Sequence, residues 1–519
     1  SHKIMALFTA HHGQTHGAVG LIDNWIDVDG DAPLTLLTPG VPVTAEKALD
    51  SQFGWYSDPV PLSETTYLCS YTPTVQPWLE NSWALYVGDR HGNLALVYRD
   101  PGISCAEPVP VVPSDRPLTL VPAAPDTADT SATAQLLVTD ASIGLTGVPR
   151  DGPRYLRVLE DVPRKGVHWG GVVTTAATSI YTVKRVLGVV PLEADGSANF
   201  RIPANRNVYF EVLDADQREI QRMRSVVCLK PGEVRSCVGC HEPRNTAPPN
   251  LLPVASHQPA ADPSPPPWGG ETTLSFLRDV QPVLNARCVV CHAYDRGSSG
   301  VILTDDLTDQ FCVSYEELVP YLAVANAMRW DYPDDVLAQP PYTYGSRVSP
   351  LSRLLDAGHH GVTLAPDDWQ RLAAWIDANG VYYDRYETSY YPNRSIFRDV
   401  VRKPMAEVFG RRCASCHGDG DGRGDTWWLS VNRHDASKSR ALMAPLAPAA
   451  GGWGRCSPAV FAGTDDSDYQ ALLRALTGLG AELREYPRED LVSLRGTLAE
   501  TQVVTLPTPP PWTPETGAP

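Results

Sequence analysis

The chain has no run of 18 or more apolar residues, so nothing in it predicts a membrane-spanning helix. It is also short of positive charge: 43 Lys and Arg stand against 60 Asp and Glu, a net charge of -17. A surface of that sign argues against nucleic acid, whose phosphates are held by Lys and Arg, and suits a basic protein partner. Nucleophile-elbow, phosphate-loop and H-E-x-x-H patterns are missing, which removes the commonest signatures of hydrolases, nucleotide-binding enzymes and zinc proteases. No signal-peptide pattern opens the chain, which begins at Ser1 without Met. Trimming is expected there, because the cysteine chemistry described next belongs to an exported protein.

What the sequence does contain is cysteine in an unusual arrangement. Six of 11 cysteines fall into three C-x-x-C-H motifs: Cys237 and Cys240 with His241, Cys288 and Cys291 with His292, and Cys413 and Cys416 with His417. This is the attachment pattern of c-type haem. Two thiols three positions apart can add to the two vinyl groups of one haem, and the adjacent His reaches the iron. Zinc sites and thioredoxin-like pairs are the alternatives, but zinc needs four ligands, and these motifs lie far apart and each ends in His. Three haem c groups are therefore expected, in a periplasmic or extracellular protein.

The surroundings of the motifs are partly repeated. Phe276, Arg278, Asp279, Val280 and Pro282 precede the second motif, and Phe397, Arg398, Asp399, Val400 and Pro404 precede the third. Downstream, Trp369, Leu372, Ala373 and Ile376, and again Tyr469, Leu472, Leu473 and Leu476, recur at i, i+3, i+4 and i+7, which predicts one apolar helix face in each case. Acidic residues ahead of both, Asp367 and Asp368, and Asp466 and Asp468, suit helix N-termini. A helix, the motif, a loop and a closing helix make a small cytochrome c domain, expected at residues 270–393 and 394–519, the latter with a Pro-rich tail.

Earlier regions read as strands. Residues 155–158 and 208–213 alternate apolar with polar, 186–192 are mostly apolar, and Asp195-Gly196 signals a turn. A β-sandwich is expected over residues 135–242, its last strand running into Cys237. Residues 243–269 are Pro-rich and predict a semi-rigid linker. Residues 1–134 contain a hairpin at 83–98 of the kind found in propeller blades, yet have length for only two or three blades, so an open sheet is the alternative. The expected fold class is multidomain α+β: a β-propeller-like region, a β-sandwich, then two mainly α cytochrome c-type domains.

Phrases around the motifs resemble a known family. Arg222, Met223, Arg224 and Ser225 with residues 229–244 (LKPGEVRSCVGCHEPR) are similar to the middle domain of the hydrazine synthase alpha subunit and its relatives. Gly358, His359, His360 and Gly361 with residues 368–372 and 375–377 resemble the haem domain that follows, and residues 444–446 and 451–454 the last domain. The resemblance implies a multihaem c-type cytochrome with redox partner proteins, in a multi-subunit complex or filament. It also implies, in that family, a Tyr just after the first motif that can bind iron, and a motif His that can turn to zinc. Here Glu242, Pro243, Arg244 and Asn245 occupy those positions, so architecture carries over and the reaction does not.

The second axial ligand separates an electron carrier from a substrate-binding haem. For the second haem His359 is the candidate, with His360 in reserve; for the third, His434 or Met443; for the first, His168 or Met223. Cys69, Cys105, Cys228, Cys312 and Cys456 remain, and an exported protein would pair most of them. Cys228 could join Cys69 or Cys105 in a disulfide or zinc site, or be a buried thiol. Calcium is the alternative to a plain acidic loop at Asp27, Asp29 and Asp31 and at Asp419, Asp421 and Asp425. Two functions follow: electron transfer along three haems, and chemistry on a small nitrogen compound at the first. A docking subunit of a larger assembly is the third reading.

Overall fold

The computed structural model describes residues 2–9, 15–27, 30–41, 43, 53–73, 80–113, 132–163, 176, 183–240, 252–294, 300–308, 311–325, 339–384, 402–417, 432 and 434–485. The chain divides into two units, one built from Ser1–Ala123 with Pro243–Ala247 and a larger one built from Ala124–Glu242 and Pro248–Pro519.

In the first unit, β1 (Ile4–Thr9), β2 (Gly17–Ile22) and β3 (Leu34–Leu36) form one antiparallel group. A second group, β4 (Trp55–Pro61), β5 (Thr66–Thr72), β6 (Ala84–Asp89) and β7 (Leu94–Tyr98), is a four-stranded meander. The groups meet where Gly17 lies opposite Tyr56, making one sheet. A Cβ at Gly17 would lie 1.9 Å from the carbonyl oxygen of Phe8, so only glycine fits at that junction. The core is Ala18, Val19, Trp55, Tyr67 and Cys69. The hairpin expected at 83–98 is β6–β7, its turn held by Asp89, which accepts from the backbone N–H groups of His91 and Asn93. Among the described residues the sheet is open and no closed propeller forms.

The larger unit begins with two sheets face to face. One is three-stranded: β8 (Thr133–Val138) lies between β11 (Ala198–Pro203), antiparallel, and β14 (Val234–Cys237), parallel. The other orders β10 (Lys184–Pro191), β9 (Tyr155–Asp161), β12 (Val208–Leu213) and β13 (Glu219–Arg222), all antiparallel. Leu136, Val138 and Phe200 from the first sheet pack on Leu156, Val158, Phe210 and Val212 from the second. The alternation in 208–213 predicts one solvated face, yet every residue of β12 is buried. Its Val208, Phe210 and Val212 face the sandwich core, while Tyr209 faces a second, helical layer.

That layer holds a π-turn (Phe276–Val280) running into α1 (Gln281–Arg287), then α2 (Val313–Leu318), α3 (Pro350–Asp356) and α4 (Pro366–Asp377). Phe276, Phe311, Tyr315, Trp375 and Tyr382 form its aromatic centre, with ring centroids about 5–6 Å apart. The last group is α5 (Arg402–Arg412), α6 (Ala414–His417), α7 (Arg440–Met443) and α8 (Ser467–Glu485), packed around Val408, Leu442, Leu446, Phe461, Tyr469 and Leu472. The two helices expected from apolar spacing are α4 and α8. Residues 252–269 of the Pro-rich stretch run along the sandwich: Ser264 and Val189 exchange backbone hydrogen bonds, and Arg201 N–H donates to Ala261.

Candidate haem sites

The first motif grows directly out of the sandwich. Cys237 ends β14 opposite Val138, and its carbonyl accepts from the N–H of Thr139 at 2.9 Å. The Thr139 hydroxyl donates to the carbonyl of Val238 at 2.5 Å. Cys237 and Cys240 are half-buried against the sandwich core. A Cβ on Gly239 would come within 2.7 Å of both the Cβ and the backbone oxygen of Ile143, so the middle of this motif is closed to any larger residue. Met223, a candidate ligand, is half-buried and packs against both the sandwich and the helical core. His241 and His168 lie outside the described residues.

The second motif caps α1. The N–H of Cys288 donates to Leu284, and the N–H groups of Cys291 and His292 both donate to the carbonyl of Cys288, which winds the motif into one tight turn. Cys288 is half-buried and its thiol is pushed up to about 11, first by burial and then by Cys291. His292 Nδ1 sits 3.0 Å from the carbonyl oxygen of Val301. A carbonyl only accepts, so Nδ1 carries the proton and the ring's lone pair is on Nε2, as a metal-binding histidine requires. Across from it, α3 ends in a turn in which Gly358, His360 and Gly361 all have positive φ (78°, 46° and 74°). That turn presents His359: its ring centroid lies 6.0 Å from that of His292, with planes 29° apart. His360 is exposed and stands edge-on to His359 at 4.6 Å. An iron bonded at about 2 Å to one nitrogen of each ring would hold the ring centres on the order of 6 Å apart, which is the separation of this pair. Val290 and Leu354, 65% and 43% exposed, leave apolar surface of the kind a porphyrin covers.

The third motif starts where α5 ends. The N–H of Cys413 donates to the carbonyl of Phe409, and Cys413 is half-buried. Arg412 bonds Asp466 and the carbonyl of Val460, tying α5 to the start of α8. The side chains of Cys416 and His417 lie outside the described residues, as do Asp29, Asp419, Asp421 and Asp425. His434 is exposed, its N–H bonded to Asn432; Met443 is half-buried in α7. The structure thus brings His292 and His359 together. Cys228 is exposed, so it is no buried structural thiol, and Cys69 and Cys312 are buried in their cores.

Two contacts escape any reading of the sequence. The buried Asn432 donates to the hydroxyl of Tyr294, two residues after His292, at 3.1 Å, while its oxygen accepts from the N–H groups of His434 and Asp435. Beside it Glu317, buried on α2, takes Arg440 and Arg455 from the last helical group at 3.0 and 3.5 Å. The two helical groups are therefore pinned together between the second motif and the loop that carries His434.

Part of this architecture has counterparts among known proteins. Residues 134–242 match the hydrazine synthase alpha subunit middle domain, the segment that ends in the first motif. Over that segment the chain is hydrazine synthase alpha-like. The solved Kuenenia stuttgartiensis hydrazine synthase shares the fold at a TM-score of 0.50 and 16% identity, over 71% of this chain and 58% of that one. The chain thus spans little more than half of the length of the structure it matches. The Bacillus anthracis TIE protein, at 10% identity, aligns over 45% of this chain and 32% of its own with a TM-score of 0.12, too low to bear on the fold. No curated protein matches the chain. Among the described residues no helix is long and apolar enough to cross a membrane.

Proposed function

We propose that the chain is a trihaem c-type cytochrome that transfers electrons outside the cytoplasm. The observation that carries this is the second motif, where His292, its Nδ1 proton held by Val301, faces His359 at 6.0 Å. Two protein ligands on one iron make an electron carrier, because no open position is left for a substrate. Bound haem c supplies reversible one-electron chemistry at iron. The chain's part is to hold it: Cys237 and Cys240, Cys288 and Cys291, and Cys413 and Cys416 by thioether bonds, with His241, His292 and His417 as proximal ligands. In this reading residues 270–393 and 394–519 are cytochrome c domains and the N-terminal sheet is propeller-like, its four-stranded meander having the strand order of one blade. The acidic surface suits basic redox partner proteins, or neighbouring subunits in a complex such as the one the name hydrazine synthase denotes. Zinc or calcium would be additional to the haems: among the described residues no group of three or more His, Cys, Asp or Glu is placed to hold a metal.

A second reading is favoured by the family match falling on residues 134–242, the domain that ends in the first motif: an enzyme acting on a small nitrogen compound at that haem. Electron paramagnetic resonance at low temperature, with nitric oxide and hydroxylamine added, separates the two. Three low-spin haems that bind neither ligand establish the carrier. One high-spin haem that takes up either ligand transfers the function to the first motif.

A further inference from the structure

The seam between the four-stranded sheet and the helical layer contains charged residues that no haem site uses. Arg157 on β9 donates through one nitrogen to Glu211 on β12 at 2.7 Å and to Asp377, at the end of α4, at 2.8 Å. Arg222 grips Glu219, both on β13, through two bonds of 2.6 and 2.5 Å. Asp377 also accepts from the backbone N–H and the hydroxyl of Ser346. The side chains of Glu211 and Asp377 are 0% exposed, that of Glu219 2% and that of Arg157 3%.

The charges do not balance. Among the described residues two guanidinium groups meet three carboxylates, which leaves one negative charge in a buried site. Lys184 and Asp161, which face the cluster from β10 and β9, are paired with each other and add nothing to the sum. Tyr209, between them and Glu211, is kept protonated by its burial. Arg218 is taken by Asp356, and Arg347 by Asp214. A buried charge without a partner is strongly unfavourable, and a carboxyl so placed takes up a proton instead. Glu211 shows the same defect atom by atom: its Oε1 is buried and has no hydrogen-bond partner.

We infer that this cluster is a proton-binding site, in which Glu211 and Glu219 share one proton at neutral pH. A cavity of about 130 Å³ reaches it, lined by Arg157, Gln217, Ser264, Trp268, Gln370 and Ala374. That is room for water molecules beside Arg157. The buried indole N–H of Trp268 has no protein partner, so water in this cavity has a donor waiting for it. Of the cluster's side chains the cavity touches Arg157, the partner of Glu211 and Asp377. Burial, reinforced by Asp377 and Glu211, raises Glu219 to about 8 in spite of Arg222, and Glu211 is raised by burial as well. The folded chain thus keeps a proton that the unfolded chain has released. Its contribution to stability is complete below the ordinary Glu value and is lost as pH rises towards about 8. The site lies on the seam that joins the β-sandwich to the domain of the second motif, so it makes that seam weaken in alkali. None of this depends on the haem reading.

Infrared spectroscopy of the full chain tests it. At about pH 6.5, where ordinary carboxyls are ionised, the carbonyl stretch of one protonated carboxylic acid is expected, disappearing on titration upward. Glu211→Gln and Glu219→Gln each restore a balance of two charges of either sign. Each single substitution is therefore expected to abolish the band and to flatten the fall of thermal stability with pH. A wild-type spectrum without the band overturns the proposal, as does a band that survives either substitution. Should one variant fail to fold, the other and the wild-type titration still decide.

Discussion

At the residue scale the second motif makes the sharpest demand. His359 is offered by a turn that only its flanking glycines allow, since Gly358 and Gly361 both take positive φ. Replacing His359 with Ala in the haem-loaded protein is expected to convert one of three low-spin signals to high-spin in electron paramagnetic resonance, whereas His360→Ala leaves all three low-spin. Equal spectra for the two variants would mean that His359 is not the ligand. The three C-x-x-C-H motifs were legible from sequence because their residue types recur at fixed spacing, and His359 was singled out by its Gly-flanked turn. The Val301 carbonyl that orients His292 was not, because a backbone acceptor leaves no trace in residue identity. Asn432 escaped for another reason: its partner Tyr294 is 138 positions away, and one Asn in a polar loop carries no periodic signal.

At the scale of elements, helices were read better than strands. Spacing of apolar residues located α4 and α8; α8 buries one face, whereas α4 is exposed only in its first turn and is buried all round from Leu372 to Asp377. Strand β12 misled: its Glu211 marks a solvated face in the sequence, but that face is covered and the charge is answered by Arg157. The same pairing predicts a large effect. Arg157→Met keeps the length of the side chain and leaves Glu211 and Asp377 buried without their cation. A loss of about 3–5 kcal/mol is expected in denaturant unfolding, against about 0–1 kcal/mol for a surface pair such as Arg201 and Asp262. A loss below about 1 kcal/mol would show that the seam does not need the ion pair.

Across the whole molecule, the succession of sheets first and helices after was readable from motif spacing and from the turn-rich strands, but the contacts that join them were not. Residues 252–269 show why. Prolines mark them as extended chain, and extended chain with free carbonyls is also what a sheet edge can bind, as Val189 and Asn199 do. Between the two helical groups, Tyr294 and Asn432 supply a bond next to one motif and one candidate ligand loop. Tyr294→Phe leaves the buried Asn432 amide without its acceptor, at a cost of about 1–3 kcal/mol. Calorimetry is expected to show residues 394–519 melting ahead of the rest in this variant; a single unchanged transition would mean that Glu317 with Arg440 and Arg455 suffices to hold the two groups together.

The parallel pairing of β14 with β8 bears on the order of events as the protein is made. The bond from Thr139 to Val238 closes a loop of 99 residues, whereas the turn around Cys288 closes on neighbours five residues away or fewer. Contacts between distant positions form slowly, because the entropy of closing the loop is lost before any bond rewards it. The first C-x-x-C-H is thus the last part of its domain to be locked in place, and its thiols stay reachable for longest. Pulsed hydrogen exchange during refolding should find the amides of β14 protected after those of β9 and β12. Simultaneous protection would place that strand in the folding nucleus, and the window for attachment would close with the rest of the sandwich.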